Sequence, residues 1–509
     1  MDGSGSQTRF IGVDALFQYA GSGVQLFAGL VFYLIAVRLF NTSSIGAISL
    51  FVAIIGLFNI IFSFGLGTAS QHFTSYNLGK GDYASVKKTI HRILGFGIAL
   101  SIAGLITIQA LAGELSVVFL HSSNYTNLVR VLGVVLIGNI MFGILNGTLL
   151  GIQLFRLSAI ISTVIWVTYY IGALFFAVYF RSIDTIVFGW LIGIFLGVTI
   201  ELLVVLLSIN RYFGSGRPPS NSYLFRYSFP ILLSGIISYG AAYADRFVVS
   251  GLLSLSALGV YSFALLIGSA ISFLAIPFNN ILMPKFSEFF GRGEFDRIAT
   301  TTEVSSTLLS YFYVPSALGI AALAPIILNF LGGSNYVEGA MSLRIIMFIT
   351  AIFIIQNILT QAVASIRKTK LFLYSSATAL VGNVALSIIL IPPFGITGAA
   401  LGYSSVYAIT FVILFYFAKK ESVLSMDMIG LVKVWTSAIL MFVSVVVLSN
   451  YIGLRVIYLP LYVILGAFIY IGLARFIGIF KGENKELILS LFPNKMHFLR
   501  KLMLVVVLH

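Results

Sequence analysis

The sequence predicts an all-α integral membrane protein. Fourteen transmembrane helices are expected, arranged as two pseudo-symmetric six-helix bundles followed by two additional helices. Three observations predict this. The 509-residue chain is 59% hydrophobic and only 9% charged, with a mean hydropathy of +1.05. A water-soluble protein of this length cannot hide so much apolar surface, so the solvent is lipid. Apolar runs of membrane length recur along the whole chain. A five-residue pattern of Gly, base, Gly, acid and aromatic also occurs twice. Gly79-Lys80-Gly81-Asp82-Tyr83 returns 212 residues later as Gly291-Arg292-Gly293-Glu294-Phe295.

The apolar runs fall near 11–39, 44–70, 84–111, 126–151, 157–181, 184–210, 226–251, 256–284, 299–331, 340–365, 371–392, 397–418, 427–450 and 456–480. Several exceed the ~20 residues a perpendicular helix needs, so tilt or extension beyond the bilayer is expected. The first run is too long for a signal-peptide core and reads as a span. An even number of spans puts both termini on one side. If that side is cytoplasmic, its loops and flanks hold 24 of the 30 Lys and Arg residues, and the other side holds five. Those five are Arg38, Arg130, Arg181, Arg344 and Arg455, and Arg246 alone is left inside a span. The asymmetry predicts cytoplasmic termini and a cell-membrane location.

No loop is long enough to be a domain. The largest breaks are Thr74–Val86, Ala112–Tyr125 and Gly214–Tyr223. The last contains Arg217-Pro218-Pro219, and proline there cannot extend a helix. The expected organisation is therefore a first bundle over 1–213, a cytoplasmic linker over 214–225 and a second bundle over 226–420. Two extra helices follow over 421–480, then a tail over 481–509. The final apolar run, Leu502 to Leu508, is too short to cross, and an interfacial helix held by Lys495, Arg500 and Lys501 is expected.

The net charge is +14. Those bases lie in short loops between apolar helices, where they face lipid headgroups, so nucleic acid is not expected as a partner. Cysteine is absent, which excludes disulfides and thiolate metal sites, and no metal or other cofactor is expected.

The repeat extends upstream of the glycine pattern. Ser43-Ser44-Ile45-Gly46-Ala47 aligns with Ser256-Ala257-Leu258-Gly259-Val260, with one residue of slippage between the two matches. Two related bundles of apolar helices suggest a transporter, because such bundles can rock about a shared central site. The two glycine loops after spans 2 and 8, span 7 ending Ala244-Asp245-Arg246-Phe247, and Leu258-Gly259-Val260-Tyr261 together resemble the polysaccharide-biosynthesis transporters. These are the Wzx-like flippases of the multidrug/oligosaccharidyl-lipid/polysaccharide (MOP) superfamily. Ile391-Pro392-Pro393-Phe394-Gly395-Ile396 resembles the segment such proteins carry between helices 11 and 12. The resemblance covers roughly Phe10 to Lys420. It implies transfer of a polyprenyl- or dolichyl-(pyro)phosphate-linked oligosaccharide from the cytoplasmic to the outer leaflet by alternating access. It implies no catalysis. Membrane lipids and the lipid-linked glycan are the expected partners, with possible proton or sodium coupling, and the chain is expected to work as a monomer.

Polar residues inside spans are the candidate site. Arg246 matches phosphate geometry through its guanidinium, and Asp245 beside it would tune it or carry a coupling ion. The plainer reading is that Arg246 snorkels to the outer headgroups. Glu201 sits well inside span 6, where a lone carboxylate is costly unless protonated or paired, so it is a candidate ion-coupling site. A structural hydrogen bond helped by Thr199 is the plainer reading. Gln18 and Gln25 in span 1 and Asn59 in span 2 could line a sugar path, or could be helix–helix glue. His72, at the inner end of span 2, could attract phosphate or act as an interfacial spacer. Pro277, Pro284, Pro315 and Pro325 predict kinks in spans 8 and 9.

Other functions compete less well. The pattern G-x-x-x-x-G-K-[ST] is missing, which disfavours an ATP-driven flippase. A membrane glycosyltransferase is expected to carry a large acidic external loop, whereas only Glu114, Asp184 and Glu338 lie at or near the outer side. A cation-coupled multidrug exporter is expected to have a buried carboxylate cluster, and a lipid II-type flippase several cavity arginines. A channel or non-transport scaffold has no need of the repeat.

Overall fold

A computed structural model describes the backbone of residues 3–210, 218–368 and 370–479, and the side chains of these except 3–16, 19, 277 and 280. The expected tail helix and Arg217 of the linker lie outside the described residues. The chain is a succession of helices: α1 (Gly3–Leu39), α2 (Thr42–Ser63), α3 (Leu66–Gly79), α4 (Tyr83–Leu120), α5 (Thr126–Gly151), α6 (Phe155–Phe180), α7 (Asp184–Ile209), α8 (Asn221–Leu252) and α9 (Leu255–Ala270). They continue as α10 (Ile276–Gly291), α11 (Phe295–Ala322), α12 (Ala324–Gly332), α13 (Ala340–Ile352), α14 (Gln356–Ser365), α15 (Lys370–Phe394), α16 (Ile396–Lys420), α17 (Met428–Ile452) and α18 (Leu459–Ile477).

Among the described residues, 12 helical segments are long and apolar enough to cross a membrane, and α13 with α14, bent by 44°, makes a thirteenth if the pair is counted as one span. The remaining expected span is α8, whose 32 residues are diluted by Tyr, Ser, Asp245 and Arg246. The protein is therefore an all-helical, multi-pass membrane protein.

Helix ends follow from local chemistry. The side chains of Asn41, Asp82 and Asp427 accept hydrogen bonds from the backbone N–H groups of Ser44 (2.9 Å), Ser85 (3.0 Å) and Gly430 (2.9 Å), satisfying donors that a helix start leaves free. The two glycine loops close in the same way. Gly81 has φ 71° and Gly293 has φ 73°. Gly81 N–H reaches Leu78 O and Asp82 N–H reaches Asn77 O, both at 3.0 Å; Gly293 N–H reaches Phe290 O at 3.0 Å and Glu294 N–H reaches Phe289 O at 2.9 Å. This is a left-handed C-cap, which glycine adopts without steric penalty. The repeated sequence thus encodes a repeated turn. Glu294 departs from Asp82: it pairs with Arg297 at 3.2 Å instead of capping the next helix.

Four expected spans are interrupted, one of them span 10, which divides between α13 and α14. Span 2 breaks between α2 and α3, where Phe64 and Gly65 both take left-handed conformations. Span 8 breaks into a 3₁₀ turn at Ile271–Ala275, and span 9 breaks at Leu323. Conversely, the loop expected from Ala112 is helical as far as Leu120, because α4 runs on for 38 residues.

The chain forms two compact units: Met1–Tyr239 with Ser254–Gly259, and Gly240–Leu253 with Val260–His509. The first is packed through small residues. Gly189 and Gly193 of α7 face α6 so closely that an added methyl would lie 2.5 Å from the Cα of Ala173 or Tyr169. Gly67 approaches Gly143 and Gly147 of α5 in the same manner. Close backbone approach of this kind suits helix association in lipid. The first turn of α9, which belongs to this unit, meets α2 through the aligned residues of the repeat. A methyl on Gly46 would fall on the Leu255 carbonyl and one on Gly259 on the Thr42 carbonyl, while the hydroxyls of Thr42 and Ser256 lie 2.6 Å apart. In the second unit, α15 packs on α16, α11 on α17 and α13 on α16. The Tyr470 O–H donates to Tyr311 O at 2.8 Å, fixing α18 to α11.

Candidate functional site

The second unit holds a buried charged pair. Asp245 and Arg246 are adjacent on α8, near its C-terminal end. The Asp245 side chain is 0% exposed and that of Arg246 16%. Tyr261, fully buried on α9, donates its O–H to Asp245 Oδ2 at 2.7 Å and lies 3.3 Å from Ala399 O of α16. The other carboxylate oxygen, Oδ1, is 3.5 Å from Arg246 Nη1, within ion-pair range but without hydrogen-bond geometry. Nη1 donates to Ala242 O at 2.9 Å, and the guanidinium lies over the Tyr243 ring, 4.2 Å from its centre.

These contacts fix the arginine. Among the described residues its hydrogen bonds run through Nη1, which leaves the edge formed by Nε and Nη2 for a bidentate anion. Tyr403 of α16 is near enough to act electrostatically on Arg246, and its hydroxyl lies 3.2 Å from that of Tyr407. Asn383 of α15 donates to Ala241 O at 3.1 Å and anchors the same turn of α8. The arrangement can present one positive charge, partly compensated by Asp245 and surrounded by tyrosine hydroxyls, to a phosphate or a sugar.

The first unit holds a second polar cluster. Glu201 on α7 is 0% exposed. It continues the stripe Gly189, Gly193, Gly197 at four-residue intervals, so the stripe that brings α6 close also turns Glu201 toward α5 and α6. Asn146 of α5 donates from Nδ2 to Ser162 Oγ at 2.7 Å, Ser158 Oγ at 3.0 Å and Glu201 Oε1 at 3.4 Å. Thr199 does not join it, because its hydroxyl bonds to Phe195 O at 2.7 Å.

The other sequence candidates stand apart from these two clusters. Gln18 donates Nε2 to Phe155 O at 2.8 Å, tying α1 to the start of α6. Gln25 is half-buried on α1. Asn59 is half-buried on α2 with its Oδ1 unpartnered. His72 is exposed and stacks on Tyr227 with ring centres 4.6 Å apart. Sequence reasoning missed Tyr243, Tyr261, Asn146, Ser158 and Ser162. Tyr243 had a signal, the spacing of three to Arg246 on one helix face. The others come from different helices, and a single sequence carries no sign of which helices meet.

Comparison with known proteins agrees with this architecture. A sequence relative is the probable low-salt glycan biosynthesis flippase Agl15 of Haloferax volcanii, 23% identical over 399 residues that cover 77% of this chain and 79% of that protein. Among solved structures, the lipid II flippase MurJ in an inward closed conformation matches with a TM-score of 0.73 at 16% identity, covering 94% of this chain and 99% of MurJ. An inward-facing multidrug resistance MATE transporter of the MOP superfamily matches with a TM-score of 0.63 at 14% identity, covering 78% of this chain and 94% of that one. These two likenesses show the fold. The polysaccharide biosynthesis protein family model matches residues 35–341, more than half of the chain, and the protein belongs to that family.

Proposed function

We propose that this protein is a flippase that carries a polyprenyl- or dolichyl-(pyro)phosphate-linked oligosaccharide from the cytoplasmic to the outer leaflet by alternating access. The observation that carries the reading is Arg246. It is a guanidinium held by Tyr243, Asp245 and Ala242 O inside a membrane helix, with a bidentate edge unused. A phosphate crossing the bilayer core needs a cation to meet it part-way, because unpaired charge there is costly. Asp245 keeps the pair near neutrality when no phosphate is present, and Tyr261 holds Asp245 in place. Family membership and the glycan flippase relative support the same substrate class.

The repeat supports two rocking bundles over 1–213 and 226–420, joined by a cytoplasmic linker, with 421–480 as additional helices. The 24-to-5 split of basic residues supports cytoplasmic termini in the cell membrane. Gln18, Gln25, Asn59 and His72 are the proposed secondary contacts to sugar hydroxyls or phosphate. Tyr403 adds a hydroxyl near Arg246, with Tyr407 beside it. The chain is proposed to move its substrate as a monomer and without catalysing a covalent step.

Depletion in the native host tests the reading. Lipid-linked oligosaccharide should accumulate in the cytoplasmic leaflet, and surface glycan should fall. Unchanged surface glycan, with no accumulation of the lipid-linked precursor, would refute it.

A further inference from the structure

Among the described residues, Glu201 has no charged partner. The influences on its carboxyl are burial and the Asn146 amide. That amide supplies two N–H groups, yet three oxygens crowd its nitrogen: Ser158 Oγ, Ser162 Oγ and Glu201 Oε1. The carboxylate has the longest of the three bonds, at 3.4 Å, and its Oε2 is buried with no hydrogen-bond partner. A carboxylate so poorly served inside a lipid-facing bundle is retained at considerable cost unless its charge is cancelled.

Among the described residues, the surroundings supply no base to cancel it. The helices packed most closely against α7 are α5 and α6. Their titratable side chains are Arg130, near the start of α5, Arg156, which stacks over Phe17 near the start of α6, and Tyr169, Tyr170 and Tyr179 of α6. On α7 itself the other titratable group is Asp184, in the first turn. Asn146 and Ser162 are only half-buried, so the cluster opens toward the surface on one side.

We propose that Glu201, Asn146, Ser158 and Ser162 form a proton-binding site within the first unit, with Glu201 as the proton acceptor and Asn146 as the residue that positions it. Proton uptake adds hydrogen to the carboxyl at the free oxygen and removes the buried charge, and release restores the carboxylate to its single Asn146 bond. The site supplies the ion-coupling step that the flippase reading needs, and it rests on that reading only for its purpose. Proton binding itself is measurable without any glycan.

The test is a difference-infrared pH titration of the purified full-length protein, following the carbonyl stretch of protonated carboxylic acids. Wild type is expected to show a titrating band that Glu201→Gln abolishes and Asp245→Asn leaves intact. Asn146→Ala, which removes the hydrogen bond to Oε1, is expected to move the midpoint of that band. This second variant keeps the test decisive should Glu201→Gln fail to fold. The titration is run in sodium and in potassium. A titrating band indifferent to sodium supports the proton. Absence of any Glu201-dependent band across the pH range overturns the proposal. Displacement of the band by sodium at constant pH overturns it in favour of a sodium site. If this titration succeeds while the depletion experiment fails, the proton site stands and the glycan reading falls.

Discussion

Gly46→Ala offers a quantitative test of how the two copies of the repeat meet. On a free helix the change is favourable by about 0.8–1.0 kcal/mol, because alanine loses less backbone freedom than glycine. At Gly46 the new methyl falls on the Leu255 carbonyl, with the carbonyl carbon at 2.9 Å and Gly259 N at 3.1 Å. Both obstacles are backbone and cannot rotate aside. The helices must part by roughly 1 Å to restore ordinary contact. Overpacking of this kind costs about 1–3 kcal/mol. Separation also stretches the 2.6 Å contact between Thr42 and Ser256, and such a bond is worth about 0.6 kcal/mol in membrane proteins. The balance is a loss of roughly 0.6–2.8 kcal/mol, the favourable helix term included. Thermal unfolding of the purified protein, followed by circular dichroism, measures it. Gly113→Ala on α4 is the control, because open space surrounds that glycine, and it should be neutral or stabilising. Gly259→Ala should resemble Gly46→Ala. The double variant should lose less than the sum, since the first methyl already parts the helices. A Gly46→Ala protein as stable as the Gly113→Ala control would refute the contact.

Other perturbations test the site and the turns. Tyr261→Phe should lower stability by about 1–3 kcal/mol, because Asp245 Oδ2 loses its O–H donor at 2.7 Å while buried. Asp245→Asn keeps that acceptor but leaves Arg246 without its carboxylate, and should reduce flipping more than unfolding temperature; an unaltered transport rate argues against the pair. Gly81→Ala and Gly293→Ala should each be destabilising by about 1–2 kcal/mol, since both glycines have positive φ, and equal unfolding temperatures would show the turns to be adaptable. The hydrogen bonds from Ser85 hold the Asp82 carboxyl below the usual carboxylate range. Its capping contribution is therefore present above the ordinary Asp pKa and is lost as pH falls through the lower folded value. Asp82→Asn should cap α4 without that acid dependence, which thermal unfolding between pH 2 and pH 5 would resolve.

Much of the fold was legible because lipid imposes a strong pattern. Length and apolarity mark spans. Gly81 and Gly293 were readable as turns because the same pattern occurs twice and the local chain alone decides a C-cap. The breaks were less legible. Phe64 carries no sign of a left-handed conformation, although it takes one where span 2 divides. Asp245, Arg246 and Glu201 stood out because charge is rare inside a span. Their partners did not: Tyr261 lies 16 residues from Asp245, and Asn146 lies 55 from Glu201, each on a different helix. Tyrosine, serine and asparagine are common in membrane helices, so only assembly of the helices reveals which of them meet the charges.

The most direct test of the central claim is leaflet accessibility of a polyprenyl- or dolichyl-phosphate-linked oligosaccharide in cells carrying wild type, Arg246→Ala or Arg246→Lys, with surface expression matched. The account predicts loss of flipping in Arg246→Ala and partial recovery in Arg246→Lys, because charge survives but the bidentate fork does not. Wild-type flipping by well-expressed Arg246→Ala would contradict it.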